Sequence, residues 1–182
     1  MIPEARFERT EHGLSARGEG WFVLNAQEAE WRDRGPRGLA CHFEGDAWYQ
    51  GLGIRLFVLE PGQPMSMYHR EDDQEDFLVL SGEAVAVVEG EERPLRQWDF
   101  LHCPAGTPHT IVGAGNGRCT ILAVGSRASG DAGLYYPRDE TAARHGASAD
   151  ADTPSPEEAY ARFPDPRTVA YGGWLPELDF PE

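Results

Sequence analysis

Short apolar segments separated by turn-forming residues fill the middle of the sequence and limit the folds that it can adopt. They run from Leu39 to Arg127, with turn-rich separators such as Glu60-Pro-Gly-Gln-Pro64 and Gly113–Gly117 between them. No helical pattern comes between these segments, so the spacing predicts antiparallel strands in a sandwich or barrel and not a parallel βαβ sheet. Alternating apolar residues around Ser81-Gly82 predict a β-hairpin there.

The two ends of the chain have a different character. Residues 1–40 form a mixed arm in which Asn25 is a candidate N-cap for a brief helix through Trp31. Residues 128–182 form a C-terminal extension with linker-like composition and two short candidate helices, Asp139–His145 and Glu157–Phe163, the second opened by Ser155. The strand domain is therefore predicted over 41–127, with helical or irregular extensions packed on it or on a partner subunit.

Charge and composition exclude several functions. The net charge of −15 opposes binding to nucleic acid or to an anionic membrane, because both need basic surfaces. No stretch approaches the roughly 20 apolar residues of a membrane span, and the first residues lack the features of a signal peptide. Three scattered cysteines without a C-x-x-C pair indicate reduced thiols. We therefore expect a cytoplasmic protein with a small-molecule partner.

Two histidines and two carboxylates form a candidate metal site. Side chains alternate along a strand, so His69 and Glu71 share one face of a Met65–Glu71 strand, and Glu75 faces the same way if the next strand keeps step. His109 must then come from a later strand. Two buried carboxylates without a cation would be costly, which favours a divalent metal. The alternative is that Glu71–Asp76 is a solvated acidic loop, and a strand bulge would exchange Glu75 for Gln74.

The surroundings of these residues resemble the cupin superfamily, in particular its small single-domain bacterial type. The first cupin motif has a glycine, two histidines, a glutamate and a second glycine, and the positions are occupied here by Gly62, His69, Glu71, Glu75 and Gly82. The second motif falls on Trp98, Pro104, Gly106, His109 and Gly113. The chain departs from the pattern at Glu71, Trp98 and Gly113, where the family has His, Gly and Asn. The glutamate-to-glycine spacing favours Glu75 over Gln74.

The resemblance covers residues 53–125 and implies that the strand domain 41–127 is an all-β jelly-roll barrel that holds a divalent first-row transition metal, namely Fe, Mn, Ni or Zn. Its ligands would be His69, Glu71, Glu75 and His109. His102 is a further candidate, as an acid/base group or substrate contact, if it lines the cavity; the alternative is a core histidine with its hydrogen bonds satisfied. The cavity would have an apolar wall drawn from Phe57, Met65, Met67, Phe77, Val79 and Ile111.

Four protein ligands leave two positions for substrate, water or dioxygen, which suits an oxygenase or an isomerase acting on a small organic molecule. The alternative is a non-catalytic binding module with a structural metal. Aromatic residues of the two extensions, such as Trp31 and Trp174, are suited to cover sheet edges across a homodimer.

Overall fold

The computed structural model describes residues 1–45, 49–128 and 133–176. Most of its regular structure is β, and the two short helices both lie after the last long strand. The strands are β1 Arg6–Thr10, β2 Gly13–Arg17, β3 Trp31–Asp33, β4 Leu39–His42, β5 Leu52–Leu59, β6 Glu75–Ser81, β7 Glu83–Val88, β8 Glu91–Arg96, β9 Phe100–Cys103, β10 His109–Ala114, β11 Cys119–Ser126 and β12 Arg167–Val169. The helices are α1 Glu140–Arg144 and α2 Pro156–Tyr160, with a 3₁₀ turn at Gly35–Arg37.

Two sheets form the main body of the described chain. The larger has seven strands in the order β12-β3-β4-β5-β11-β6-β9, and the smaller has three in the order β10-β7-β8. The strands β1 and β2 pair separately, and every pairing between named strands is antiparallel. The predicted all-β, antiparallel class is confirmed. Closure of the sheets into one jelly-roll barrel stays a prediction.

One apolar core joins the two sheets. Phe77 on β6 and Ile121 on β11 pack with Ala86 on β7 and Ile111 on β10, and all four are almost fully buried. Since these residues come from facing sheets, burial of their side chains supplies the main force that holds the two layers together.

Gly82 lies where the chain passes from one sheet to the other. The predicted hairpin over Ser81-Gly82 is wrong, because β6 pairs with β11 and β9, whereas β7 pairs with β8 and β10. Gly82 has a φ of 75°, and a Cβ there would approach the carbonyl oxygen of Arg118 to 2.3 Å. A glycine between alternating apolar segments is therefore needed for a sheet-to-sheet corner as much as for a hairpin.

Two further local predictions are corrected. Asn25 does not begin a helix; its side chain accepts a hydrogen bond from the Gln27 amide at 2.9 Å, which closes a single turn. The predicted strand Met65–Glu71 is irregular and meets β10 through an isolated bridge between His69 and His109. Its side chains therefore do not follow the simple alternation that a strand would impose.

The extensions pack on both sheets, since α1 contacts Val87 of the smaller sheet and β12 joins the larger one, and α2 begins after its predicted cap, Ser155. Asp139 and Ser155 accept hydrogen bonds from the first turns of α1 and α2. Strand β12 pairs with β3, which itself comes from the N-terminal arm, and Trp31 of β3 is fully buried against Trp174 with ring centroids 5.6 Å apart. The arms thus extend and cover one sheet edge. No described helix is long and apolar enough to cross a membrane.

Candidate metal centre

Backbone pairing brings the two predicted histidine ligands together. The amide of His69 donates to the carbonyl of His109 at 3.1 Å, and the amide of His109 donates back at 2.8 Å. A residue pair that exchanges both hydrogen bonds presents its side chains on the same face, and here the two imidazole centroids are 5.0 Å apart. The irregular 64–70 segment therefore still places His69 correctly.

Glu75 completes a compact three-residue cluster at the start of β6. Its Oε2 atom lies 3.1 Å from Nε2 of His109 and 3.4 Å from Nε2 of His69. One possible ligand atom from each residue lies within 4.8 Å of the other two. His69 and His109 are 8% and 2% exposed, so the cluster sits at the edge of the core and not on the surface.

Backbone carbonyls orient both imidazole rings. Nδ1 of His69 donates to the carbonyl of Met67 at 2.8 Å, and Nδ1 of His109 donates to the carbonyl of Thr107 at 3.0 Å. A carbonyl can only accept, so each Nδ1 carries a proton, and Nε2, the atom that could bind a metal when the ring is neutral, lies on the side of Glu75. Carbonyl-held Nδ1 atoms are the usual outer support of histidines that bind metals.

The centre of the cluster contains buried polar atoms without hydrogen bonds. Glu75 Oε2 and His109 Nε2 are buried and, although close, are not aligned for a hydrogen bond with each other or with any described group. Such atoms are costly unless something pairs with them. A divalent cation would satisfy both at once, so the donor set fits a first-row metal.

Without a cation the cluster must hold protons instead. Burial lowers the pKa of His69, but Glu71 and Glu75 outweigh it and raise the pKa to about 10. Burial opposes charge at His109 too, yet Cys103 and Glu75 raise its pKa to about 9. Burial works against ionised Glu75, whereas the two histidines hold its pKa far below the usual range. Metal and protons therefore compete for the same nitrogen atoms.

Glu71 is a predicted ligand, and Gln74 is the predicted alternative to Glu75. Glu71 lies at the margin: its Oε1 atom is 3.8 Å from Nε2 of His69, and it lies outside the three-residue cluster while still lining the adjacent cavity. Gln74 is exposed and donates to Asp76 at 2.6 Å. The structure therefore brings Glu75, and not Gln74, to the two histidines.

The prediction that His102 lines the cavity is wrong. Its side chain is 49% exposed, and its Nδ1 atom lies 2.6 Å from Oδ1 of Asp76 on the outer face of the larger sheet. His102 does share a face with Phe100, as its position predicted, but Phe100 is itself 63% exposed. The inward residues of β9 are Leu101 and Cys103, which pack on the core.

A cavity of about 390 Å³ adjoins the cluster, a size that suits a small organic molecule. His69, Glu71 and Glu75 reach it, together with the predicted apolar residues Phe57, Met65 and Phe77. The other three residues predicted for the wall lie elsewhere: Val79 and Ile111 are buried away from it, and Met67 packs on the C-terminal extension.

Several residues of the cavity were not found from the sequence. Tyr136 stacks on the His69 ring, with centroids 5.8 Å apart, and the C-terminal extension that carries it gave no local signal of this role. Cys103 is buried beside His109 and helps to raise the pKa of that imidazole. Arginines from the N-terminal part of the chain and from β5 also line the cavity, among them Arg34, Arg37 and Arg55.

Comparison with known proteins agrees with this geometry. Residues 55–125 match the family model described as a cupin domain. This part of the chain is a cupin domain. An RmlC-like cupin from Shewanella frigidimarina NCIMB 400 shares the fold at a TM-score of 0.53, with 17% identity, over 62% of this chain and 96% of that one. No curated protein matches the cupin chain.

Two other solved structures are similar to this cupin at lower TM-scores. A sugar phosphate isomerase of the cupin superfamily from Silicibacter pomeroyi DSS-3 is 26% identical, with a TM-score of 0.44 over 56% of this chain, and the match spans 62% of that protein. A predicted oxalate decarboxylase from Thermotoga maritima is 22% identical, with a TM-score of 0.49 over 58% of this chain and 98% of that one.

One departure from the cupin motif has a structural reason. Gly113 replaces the asparagine of the family pattern. A Cβ at this position would lie 2.3 Å from the carbonyl oxygen of Glu60, so the backbone of this chain approaches too closely for any side chain.

Proposed function

We propose that this cupin is a metal-dependent enzyme, of the oxygenase or isomerase type, that acts on a small organic molecule. Its metal would be Fe, Mn, Ni or Zn, held by His69, Glu75 and His109 with Glu71 beside them. The observation that carries the proposal is a buried set of candidate metal ligands in which neither Glu75 Oε2 nor His109 Nε2 forms a hydrogen bond with a described group. Neutral imidazoles and a carboxylate are the ligands that these divalent metals prefer.

The position of the cluster favours catalysis over a structural metal. A structural site is closed by its protein ligands, whereas a catalytic site keeps a position open to substrate. Here His69, Glu71 and Glu75 form part of the cavity wall. When bound, the metal would supply Lewis-acid or redox chemistry to a substrate oxygen.

The chain's own residues would prepare the substrate. Phe57, Met65 and Phe77 exclude water from the cavity and contact the apolar part of a ligand. Glu71, whose pKa is raised by burial, is suited to hold and move a proton next to the metal, because it lines the cavity without joining the compact cluster.

The test is turnover by protein reconstituted with one metal at a time. Purified apoprotein is loaded with Fe(II), Mn(II), Ni(II) or Zn(II) and assayed for oxygen uptake and for isomerisation against a panel of small hydroxy and oxo acids. We expect activity with at least one metal, its loss in Glu75→Gln, and full activity in His102→Ala, a histidine outside the site. Tight metal binding without turnover of any panel member would favour the non-catalytic binding module.

We also propose a homodimer. Strand β9 ends the seven-stranded order, and Phe100 on it and Trp98 just before it are 63% and 65% exposed. An unpaired edge with exposed aromatic residues is a surface that proteins commonly cover. Light scattering at micromolar concentration should give twice the chain mass; a monomer at tens of micromolar would contradict the proposal.

A further inference from the structure

The cavity beside the metal cluster contains an unusual set of cations. Arg34, Arg37 and Arg55 all line it, although the chain as a whole has a net charge of −15. None of the three forms an ion pair with a residue that the structure describes. Buried cations without anionic partners are costly and need an explanation.

Arg34 is the deepest of these cations, at 8% exposed. Its Nη1 donates to the carbonyl of Met65 at 2.8 Å and its Nη2 to the carbonyl of Arg37 at 2.5 Å, while its Nε is buried without a partner. The guanidinium also lies over the Phe57 ring, 4.7 Å from its centroid. These contacts fix the position of the charge but do not neutralise it.

Arg37 and Arg55 are half-buried and line the same cavity. The guanidinium of Arg37 lies 4.5 Å from the centroid of Tyr160, and the Nε atoms of both arginines are buried and unpaired. Burial, and then repulsion from Arg37 and Arg55, lowers the pKa of Arg34 to about 9, so both neighbouring arginines act on its charge. Aromatic rings contact the guanidinium groups of Arg34 and Arg37, and all three arginines keep an Nε donor without a hydrogen bond.

Arg127, in the same cavity, provides the contrast. Both of its terminal nitrogens bind the carboxylate of Glu44, at 2.8 and 2.6 Å, so its charge is compensated within the protein. The carboxylates of Glu71 and Glu75 would be compensated by a divalent metal. Arg34, Arg37 and Arg55 are then left as net positive charge facing the cavity.

We propose that the substrate of this cupin carries an oxyanion, a carboxylate or a phosphate, which Arg34, Arg37 and Arg55 bind while its reacting end faces the metal cluster. This inference rests on the proposed function for the role of the ligand as substrate. The oxyanion subsite itself needs no metal. Planar guanidinium groups match both carboxylate and phosphate, so the site selects a small anion and orients it.

The experiment measures anion binding to metal-free protein by titration calorimetry, with inorganic phosphate and succinate as separate probes and succinamide as the uncharged match. We expect saturable binding of phosphate or succinate and no binding of succinamide. The anion that binds more tightly shows whether the substrate carries a phosphate or a carboxylate. Arg37→Gln and Arg55→Gln should each weaken binding about tenfold or more, in line with loss of a charge-assisted hydrogen bond. Arg118→Gln, which removes an exposed cation, should leave it unchanged.

Two outcomes would overturn the inference: no saturable anion binding, or binding that Arg37→Gln and Arg55→Gln weaken no more than Arg118→Gln. Arg34→Gln is a poorer test because it also breaks two hydrogen bonds of a buried side chain. The result is independent of the metal. Anion binding without metal binding would reject the proposed function alone, and metal binding without anion binding would reject the subsite alone.

Discussion

Exchange of Glu75 for Gln should remove most of the metal affinity, and the same exchange at Glu71 should not. Glu75 Oε2 lies within 3.4 Å of both imidazole Nε2 atoms, whereas Glu71 approaches only His69, at 3.8 Å. Zinc bound by four protein ligands gains about 10–16 kcal/mol, so loss of one ligand costs about 3 kcal/mol. That corresponds to a dissociation constant about 100-fold weaker.

Glu71→Gln should weaken metal binding about tenfold, which is the smaller of the losses expected when a group that contacts a metal ligand is removed. The assay is competition of each variant against a chromophoric zinc chelator at pH 7.5, with circular dichroism to confirm that both variants fold. Equal losses would make Glu71 a full ligand. An affinity of Glu75→Gln equal to that of the original protein would refute the assignment of the site.

Three other predictions concern the stability of the folded protein. Burial, and then nearby arginines, lowers the pKa of His42 in the folded protein to about 3. Because the unfolded chain binds a proton there below about pH 6.5, the free energy of unfolding decreases as the pH falls below that value. Urea unfolding should show that the free energy of unfolding falls between pH 7.5 and pH 5.5, and that this fall is about 1.4 kcal/mol smaller in His42→Gln than in the original protein. The same pH dependence in both proteins would contradict this prediction. Trp98→Gly should raise the melting temperature by about 3 °C, because it relieves a φ of 74° for a largely exposed side chain, and calorimetry showing a lower value contradicts the strain. His102→Ala should lose at most about 1 kcal/mol of stability in urea unfolding, since its pair with Asp76 is half-exposed, and a larger loss would mean that the pair is more than a surface contact.

Local sequence patterns were enough to predict that His69, Glu75 and His109 lie together. The spacing from Glu75 to Gly82 distinguished Glu75 from Gln74, and the position of His109 after the Pro104 turn brought the second imidazole to the first. These relationships depend on short turns and on the alternation of side chains along β6 and β10, which a sequence records directly.

Face assignment failed where both faces of a strand are apolar or aromatic. In β9 the outward residues include Phe100 and the inward ones include Leu101, so composition does not show which face meets the core, and His102 was placed on the wrong side. The Gly82 corner was missed for a related reason. A glycine between apolar segments permits a sharp change of direction but does not specify the strand with which each segment pairs.

The cavity wall was hardest to predict because it is built by contacts that are distant in sequence. Arg34 reaches the carbonyl of Met65, and Tyr136 from the C-terminal extension stacks on His69. These pairs are too far apart in sequence for any repeating pattern of residues to predict them. Strand pairing, such as that of β3 with β4, and the bridges made by the C-terminal extension bring them together. The cluster of His69, Glu75 and His109 thus follows from local spacing, whereas the arginine-lined part of the cavity depends on the fold.

The most direct test of the account is the metal content of the purified protein. Mass spectrometry of protein loaded with Zn(II) and passed over a desalting column should find about one ion per chain. The same treatment of His109→Ala, which deletes an imidazole that is 2% exposed, should leave well under about a tenth of that amount with the β-rich circular dichroism retained. A metal-free original protein, or a variant that keeps a full complement of zinc, would contradict the assignment of His69, Glu75 and His109 as a metal centre.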